Sequence, residues 1–211
     1  MKSQNTYKNL KYIVGIDEAG RGPLAGPVAI GAVCTPIRQY DNRTIRTLFR
    51  GARDSKKMSP AKREEIFEKI KDARSVKKVE FVVIMESAKI IDAKGISWAI
   101  KKAIKKCLKK LGVHPDQTLV LLDGGIKAPV EFIHQKTIIR GDDKELVISL
   151  ASICAKVTRD AHMRKMAKKY PQYGLEVHKG YGTLRHRTAI RKHGTSPIHR
   201  KSFLKNIDFV K

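Results

Sequence analysis

Apolar residues along this chain fall into two rhythms. Short runs rich in Val, Ile and Leu, at 12–16, 28–34, 79–85 and 118–122, predict buried strands. Elsewhere the spacing lengthens to three and four residues. After Ile96, the positions Ala99, Ile100, Ala103, Ile104, Cys107, Leu108 and Leu111 form one helical stripe. Lys101, Lys102, Lys105, Lys106, Lys109 and Lys110 fill the opposite face, and Gly112 ends the helix. A shorter helix is predicted at SPAKREEIFEKI, with Ser59 as its cap and Pro60 in its first turn. A long one runs from near Asp142 to Pro171, and another passes through LRHRTAIRKHG after the Gly-rich segment YGLEVHKGYGT. The succession strand, strand, helix, strand, helix, strand, helix predicts an α/β fold with helices packed on a sheet. No internal repeat or long linker divides the 211 residues, so the expectation is one domain spanning 1–211.

Charge changes the picture. Lys and Arg number 45 against 20 acidic residues, a formal net charge of +25 spread along the whole chain. A polyanion is the natural partner, and nucleic acid suits it best, because neutralised phosphates release counterions. The alternative is a surface made basic for solubility or heat resistance. Cys34, Cys107 and Cys154 lie too far apart for a CxxC pair and read as core residues. No apolar run spans a bilayer or makes a signal peptide, so a cytoplasmic protein with no membrane association is expected.

In so basic a chain, the informative acids are those at the ends of apolar strands. Asp17 and Glu18 follow the first run and Asp123 ends TLVLLDGG, each with glycine close behind. Carboxylates at the ends of adjacent central strands converge where open α/β sheets place their sites. Clustered carboxylates repel, and a divalent metal resolves the repulsion. Oxygen ligands suit Mg²⁺ or Mn²⁺, and two such ions can activate water and stabilise a leaving oxygen in phosphodiester cleavage. Plainer readings exist for each residue. Asp17 and Glu18 can form a buried ion pair with Arg21, Asp123 before Gly124 can be a turn residue, and Asp142 can be an N-cap boxed with Glu145.

Longer stretches carry a resemblance. YIVGIDEAGRGPLAGPVAIGAV, DSKKMS, LLDGG, RGDDKELVISLASICAKVTRDAHM, KGYGTLRHRTAIRKHG and SPIHRKSF, in that order, closely resemble bacterial type 2 ribonuclease H, the ribonuclease HII family, over about residues 11–203. The resemblance implies a ribonuclease H-like fold: a mixed central β-sheet flanked by helices, with a helical C-terminal region. It divides the domain into a core at about 11–170 and a substrate-contacting segment at about 171–211. It also implies hydrolysis of RNA in RNA/DNA hybrids and incision 5′ of ribonucleotides embedded in duplex DNA, leaving 5′-phosphate and 3′-hydroxyl ends. Two Mn²⁺ or Mg²⁺ ions would act with substrate. Asp17, Glu18 and Asp123 match the metal ligands and Asp142 the fourth catalytic carboxylate, with Asp143 beside it as the alternative. Asp160 reads as structural, paired with Lys156 or Arg159.

Gly20, Arg21 and Gly22 match a loop whose backbone reads the ribose 2′-hydroxyl, the group that separates RNA from DNA. Tyr181 matches a tyrosine that packs on the sugar at the RNA-to-DNA junction, where the residues alone suggest a half-buried loop aromatic. Lys56, Lys179, His199 and Arg200 are candidate phosphate contacts. A monomer is expected. The rival readings are a non-catalytic basic nucleic-acid-binding protein and another nuclease of the same fold.

Overall fold

One five-stranded mixed sheet, ordered β3-β2-β1-β4-β5, organises the computed structural model, which describes residues 9–41, 44–52 and 58–205. β1 (Tyr12–Ala19), β2 (Val28–Pro36) and β3 (Glu80–Glu86) form an antiparallel meander. β4 (Thr118–Asp123) and β5 (Gln135–Ile138) add in parallel on the other side of β1. Two features depart from the sequence pattern. β1 runs on through Asp17 and Glu18, because these residues still pair with Gly31 and Ile30 of β2. β5 was not predicted: QKTI is a four-residue edge strand with no apolar run.

The helices follow as α1 (Ile37–Asp41), α2 (Thr44–Leu48), α3 (Pro60–Ser75), α4 (Ala88–Lys94), α5 (Ile96–Leu111), α6 (Gly141–Lys144), α7 (Leu146–Lys169), α8 (Leu175–His178) and α9 (Leu184–His193). α3 starts as expected, with the Ser59 hydroxyl accepting the Lys62 N–H at 3.2 Å. α5 ends at Gly112, which is left-handed at φ 65°. The long helix expected from Asp142 is broken in two, since Glu145 is extended between α6 and α7. Arg140 occupies the cap position, so Asp142 lies inside the first turn and the capping box does not form.

Alternation along the strands sorts the two faces. Val14, Ile16, Val120 and Leu122 pack with the apolar stripe of α5, and Ile13, Val33 and Leu121 pack with α3 and α7. α7 lies directly on the central strands because glycine stands beneath it. A Cβ on Gly15 would come within 2.2 Å of the Val147 carbonyl carbon, and one on Gly31 within 2.1 Å of the Ala151 oxygen. Residues 146–155 are accordingly buried on every side, which is why no amphipathic period marks them. A smaller cluster joins the far end of α7 to the C-terminal elements through Met163, Ala167, Tyr173, Leu175 and Ile190, with Ala25 from the loop after β1. All three cysteines are buried and free. Among the described residues no helix is long and apolar enough to cross a membrane.

Candidate active site

Ile16 of β1 pairs with Leu122 of β4 in a parallel register, so Asp17 and Asp123 come next, level with one another on adjacent strands about 4.8 Å apart. Both sit on the face covered by α7. Asp17 is only 2 % exposed. Its Oδ1 accepts the Glu18 N–H at 2.7 Å, while Oδ2 is buried without a hydrogen-bond partner. Burial pushes its pKa up to about 8, Glu18 and Asp123 add repulsion, and hydrogen bonding from Ser152 of α7 and the Glu18 N–H opposes the rise. Asp123 Oδ1 accepts the Gly141 N–H at 2.6 Å, which ties the start of α6 to the tip of β4. Asp142 follows at once and is 1 % exposed, whereas Asp143 is only half-buried, so Asp142 is the member of the pair turned into the protein.

Glu18, one residue beyond Asp17, lies on the opposite face of β1, with Ile16 and Ile30. Arg21 Nη1 approaches its carboxylate at 3.5 Å, and the Arg21 side chain is 54 % exposed. The buried ion pair considered for Asp17 and Glu18 is therefore a surface contact of Glu18 alone. Asp123 does enter a turn, for Gly124 has φ 60° and donates to the Ile138 carbonyl, and this geometry is compatible with a ligand role. Asp160 pairs with Lys156 at 2.9 Å.

Among the described residues, no three Asp, Glu, His or Cys side chains close into a ready-made metal cage. What the sheet end offers is hard carboxylate oxygen, one buried acceptor lacking a donor, and a proton affinity raised by burial and like charge. A hard divalent cation would relieve each of these, so the residues fit one.

Next to this acidic end, the loop 20–27 is held from beneath by two fully buried arginines. Arg200 donates to the carbonyls of Gly20 (2.6 Å), Arg21 (2.9 Å) and Gly26 (2.9 Å). Arg159 donates to those of Pro27 (2.9 Å), Ala25 (3.2 Å) and Lys179 (3.1 Å), linking the loop to the segment that carries Tyr181. Gly20 has φ 85°, and a Cβ there would meet Arg159 Nε at 1.9 Å, so only glycine fits. At Gly22 a Cβ would meet nothing within 4 Å, so the loop is open to solvent at that point.

These contacts correct the expectation that His199 and Arg200 touch phosphates. Both are buried, and their polar atoms are engaged inside the protein. Burial, then repulsion from Arg159, pushes the Arg200 pKa down to about 9, which leaves it cationic at neutral pH. Arg159 was missed as a contributor. Its signal was helical spacing, since Ala155 and Met163, four residues before and after it, are both buried and share its face of α7. Lys179 turns its ammonium back to the Glu176 carbonyl, and Lys56 lies outside the described residues.

Tyr181 is 45 % exposed, with the Arg159 guanidinium carbon 6.0 Å from its ring centre. A histidine chain fixes its backbone. Ser196 N–H donates to His199 Nδ1 (2.9 Å), which leaves the proton on His199 Nε2 to donate to His186 Nε2 (3.1 Å). His186 Nδ1–H then donates to the Tyr181 carbonyl (2.9 Å), so every ring in the chain is neutral with a defined tautomer. Burial pushes both His186 and His199 down to about 4.

Comparison with known proteins gives the family and the fold. The ribonuclease HII family profile matches residues 14–206. The chain is 44% identical over 197 residues to ribonuclease HII of Caldicellulosiruptor bescii, covering 93% of this chain and 88% of the relative. It is 45% identical over 200 residues to ribonuclease HII of Clostridioides difficile, covering 95% and 72%. Among solved structures, the ribonuclease HII of the PCNA:RNase HII complex from Archaeoglobus fulgidus aligns with a TM-score of 0.73 at 24% identity, over 94% of this chain and 97% of that one. Ribonuclease H2 from Pyrococcus horikoshii aligns with a TM-score of 0.67 at 24% identity, over 92% and 100%. At that identity the two structures speak to the fold, which is ribonuclease H-like.

Proposed function

The chain belongs to the ribonuclease HII family, and from that premise we propose that Asp17, Glu18, Asp123 and Asp142 are its catalytic carboxylates. Membership makes the protein a metal-dependent endonuclease that hydrolyses the RNA strand of RNA/DNA hybrids. The finer reading is incision on the 5′ side of ribonucleotides embedded in duplex DNA, leaving 5′-phosphate and 3′-hydroxyl ends. Asp17, Glu18 and Asp123 hold the metal. When bound, two Mn²⁺ or Mg²⁺ ions supply water activation and stabilisation of the departing oxygen.

The protein's own residues do the rest. Asp17 contributes the buried oxygen that meets no donor, and Asp123 stands level with it while bracing α6 through Gly141. Asp142 is thereby held at the base of the same corner. Gly20, Arg21 and Gly22 bring main-chain groups to the ribose 2′-hydroxyl, with Gly22 leaving room for the sugar. Tyr181 offers a half-exposed ring for the adjoining deoxyribose, set at a fixed height by Arg159 and His186. The whole chain works as one catalytic unit, its C-terminal segment from about 171 contacting substrate. We place it in the cytoplasm as a monomer, in keeping with three buried free thiols.

One observation carries this reading: two acids in register on neighbouring parallel strands, one with a buried acceptor that lacks a donor. Asp17→Asn tests it. The variant should bind an RNA/DNA duplex as the wild type does and lose cleavage by a factor on the order of 10³ or more. Full activity would remove Asp17 from the mechanism. A DNA duplex with one embedded ribonucleotide separates this reading from other nucleases of the fold, since only the proposed specificity predicts a single nick on its 5′ side.

A further inference from the structure

A groove of about 830 Å³ leads away from the candidate site on the sheet face opposite α7. One wall is the outer side of α5 and the other is the loop after β4. α5 buries Ala99, Ile100, Ala103 and Ile104 against the sheet, so its lysines have no choice but to face outward. Lys101, Lys102 and Lys105 line the groove from that side and Lys127 from the loop, while Arg21 stands at its mouth. No acidic residue is among the described residues that line it.

The groove is not merely cationic. Trp98 is 41 % exposed in its wall, with the Lys102 ammonium 4.7 Å from the ring centre, and Val130 is 90 % exposed on the facing side. Ammonium groups beside an exposed indole and an aliphatic side chain suit a nucleic-acid strand, whose phosphates meet lysine and whose sugars and bases meet apolar faces. Position supports the same occupant. Arg21 belongs both to the groove and to the loop 20–27, and Gly125 in its wall is two residues past Asp123. From Trp98 to Lys105, α5 rises about 10 Å, which spans about three phosphates of one strand.

We propose that this groove is an anchoring subsite for one duplex arm of the nucleic-acid substrate, gripping the strand backbone that leaves the cut site past Arg21. It rests on the reading of the carboxylate cluster as the cutting centre. It adds a contact on α5 and the loop after β4 to those of Gly20, Gly22 and Tyr181, none of which lines the groove.

The test uses duplexes with one ribonucleotide and arms lengthened separately on each side. For the wild type, KM falls about tenfold as one arm grows and stays level as the other grows, which corresponds to a few added phosphate contacts. Lys101→Glu/Lys105→Glu removes that dependence, leaves kcat at saturation within about twofold, and lowers the salt slope of log Kd by about two. Trp98→Ala weakens binding of the long-armed duplex alone. A wild-type KM indifferent to both arms overturns the proposal, as does an unchanged arm dependence and salt slope in the double variant. Anisotropy on an uncleavable all-DNA duplex reads the same arm dependence. If cleavage failed altogether while that dependence persisted in the wild type and vanished in the variant, the cutting centre would be misassigned and the groove would stand.

Discussion

The two halves of the site treat buried charge in opposite ways. At the tips of β1 and β4, Asp17 is buried with one oxygen lacking a donor and with Asp123 and Glu18 raising its proton affinity. Beneath the adjacent loop, Arg159 and Arg200 are buried as deeply, yet each donates to three backbone carbonyls. The acidic half is electrostatically incomplete in the folded chain and gains from a cation. The basic half is satisfied at every nitrogen of Arg200 and at all but Nη1 of Arg159, and its charge holds shape rather than ligand. Removing a residue from the first should cost activity and release strain, whereas removing one from the second should cost the fold.

Asp17→Asn gives the largest contrast, for the loss of cleavage on the order of 10³-fold should come with a gain in stability. An Asp17 pKa raised from 3.8 to about 8 means the native state favours the protonated form. The associated stability is full below about 3.8 and is lost as pH rises through about 8. Metal-free melting curves should therefore show the wild type losing Tm relative to the variant as pH rises from roughly 5 to roughly 8, the other titrating groups being common to both. Equal slopes for both proteins would break the comparison.

Arg200→Ala comes next. It strands three buried carbonyls and should lower unfolding free energy by about 4 kcal/mol in urea titration, with Arg200→Lys recovering only part. A loss under about 1 kcal/mol would show that water replaces the guanidinium and that the clamp is not structural.

Acid sharpens the comparison further. His186 and His199 are held at about 4 against an ordinary 6.5, so their contribution is intact above 6.5 and lost as pH falls through about 4. This runs opposite to Asp17, and melting curves in the Asp17→Asn background isolate it. Tm should fall on acidification from pH 7 toward pH 4, roughly the histidine window, and less so when His199 is replaced by Gln. The smallest effect belongs to Lys156→Ala, which breaks a partly exposed pair with Asp160 and should cost less than about 1 kcal/mol.

Much of this was legible along the chain. The α5 stripe, the Ser59 cap and four of the five strands follow from local periodicity and capping chemistry, and Asp17 and Asp123 stood out as acids ending apolar runs. β5 was not legible, since QKTI acquires its strand conformation only from the neighbouring edge of β4. Arg200 looked like a phosphate contact because a basic residue in a basic tail resembles every other one. Its role appeared only when a chain segment 174 residues away, at Gly26, was brought to its guanidinium.

Period, polarity and cap chemistry are short-range properties, so the sequence by itself determined where the four apolar strands and the longer helices form, which face of α5 is apolar, and which acids are costly to bury. Pairing across distant segments is long-range. Only the tertiary structure decided that Asp17 and Asp123 stand side by side with Glu18 at the strand end beside Arg21, and that two arginines serve the loop rather than the ligand. The physical reason is that a charged side chain's meaning depends on what desolvates it and what answers its charge, and both are supplied by residues remote along the chain.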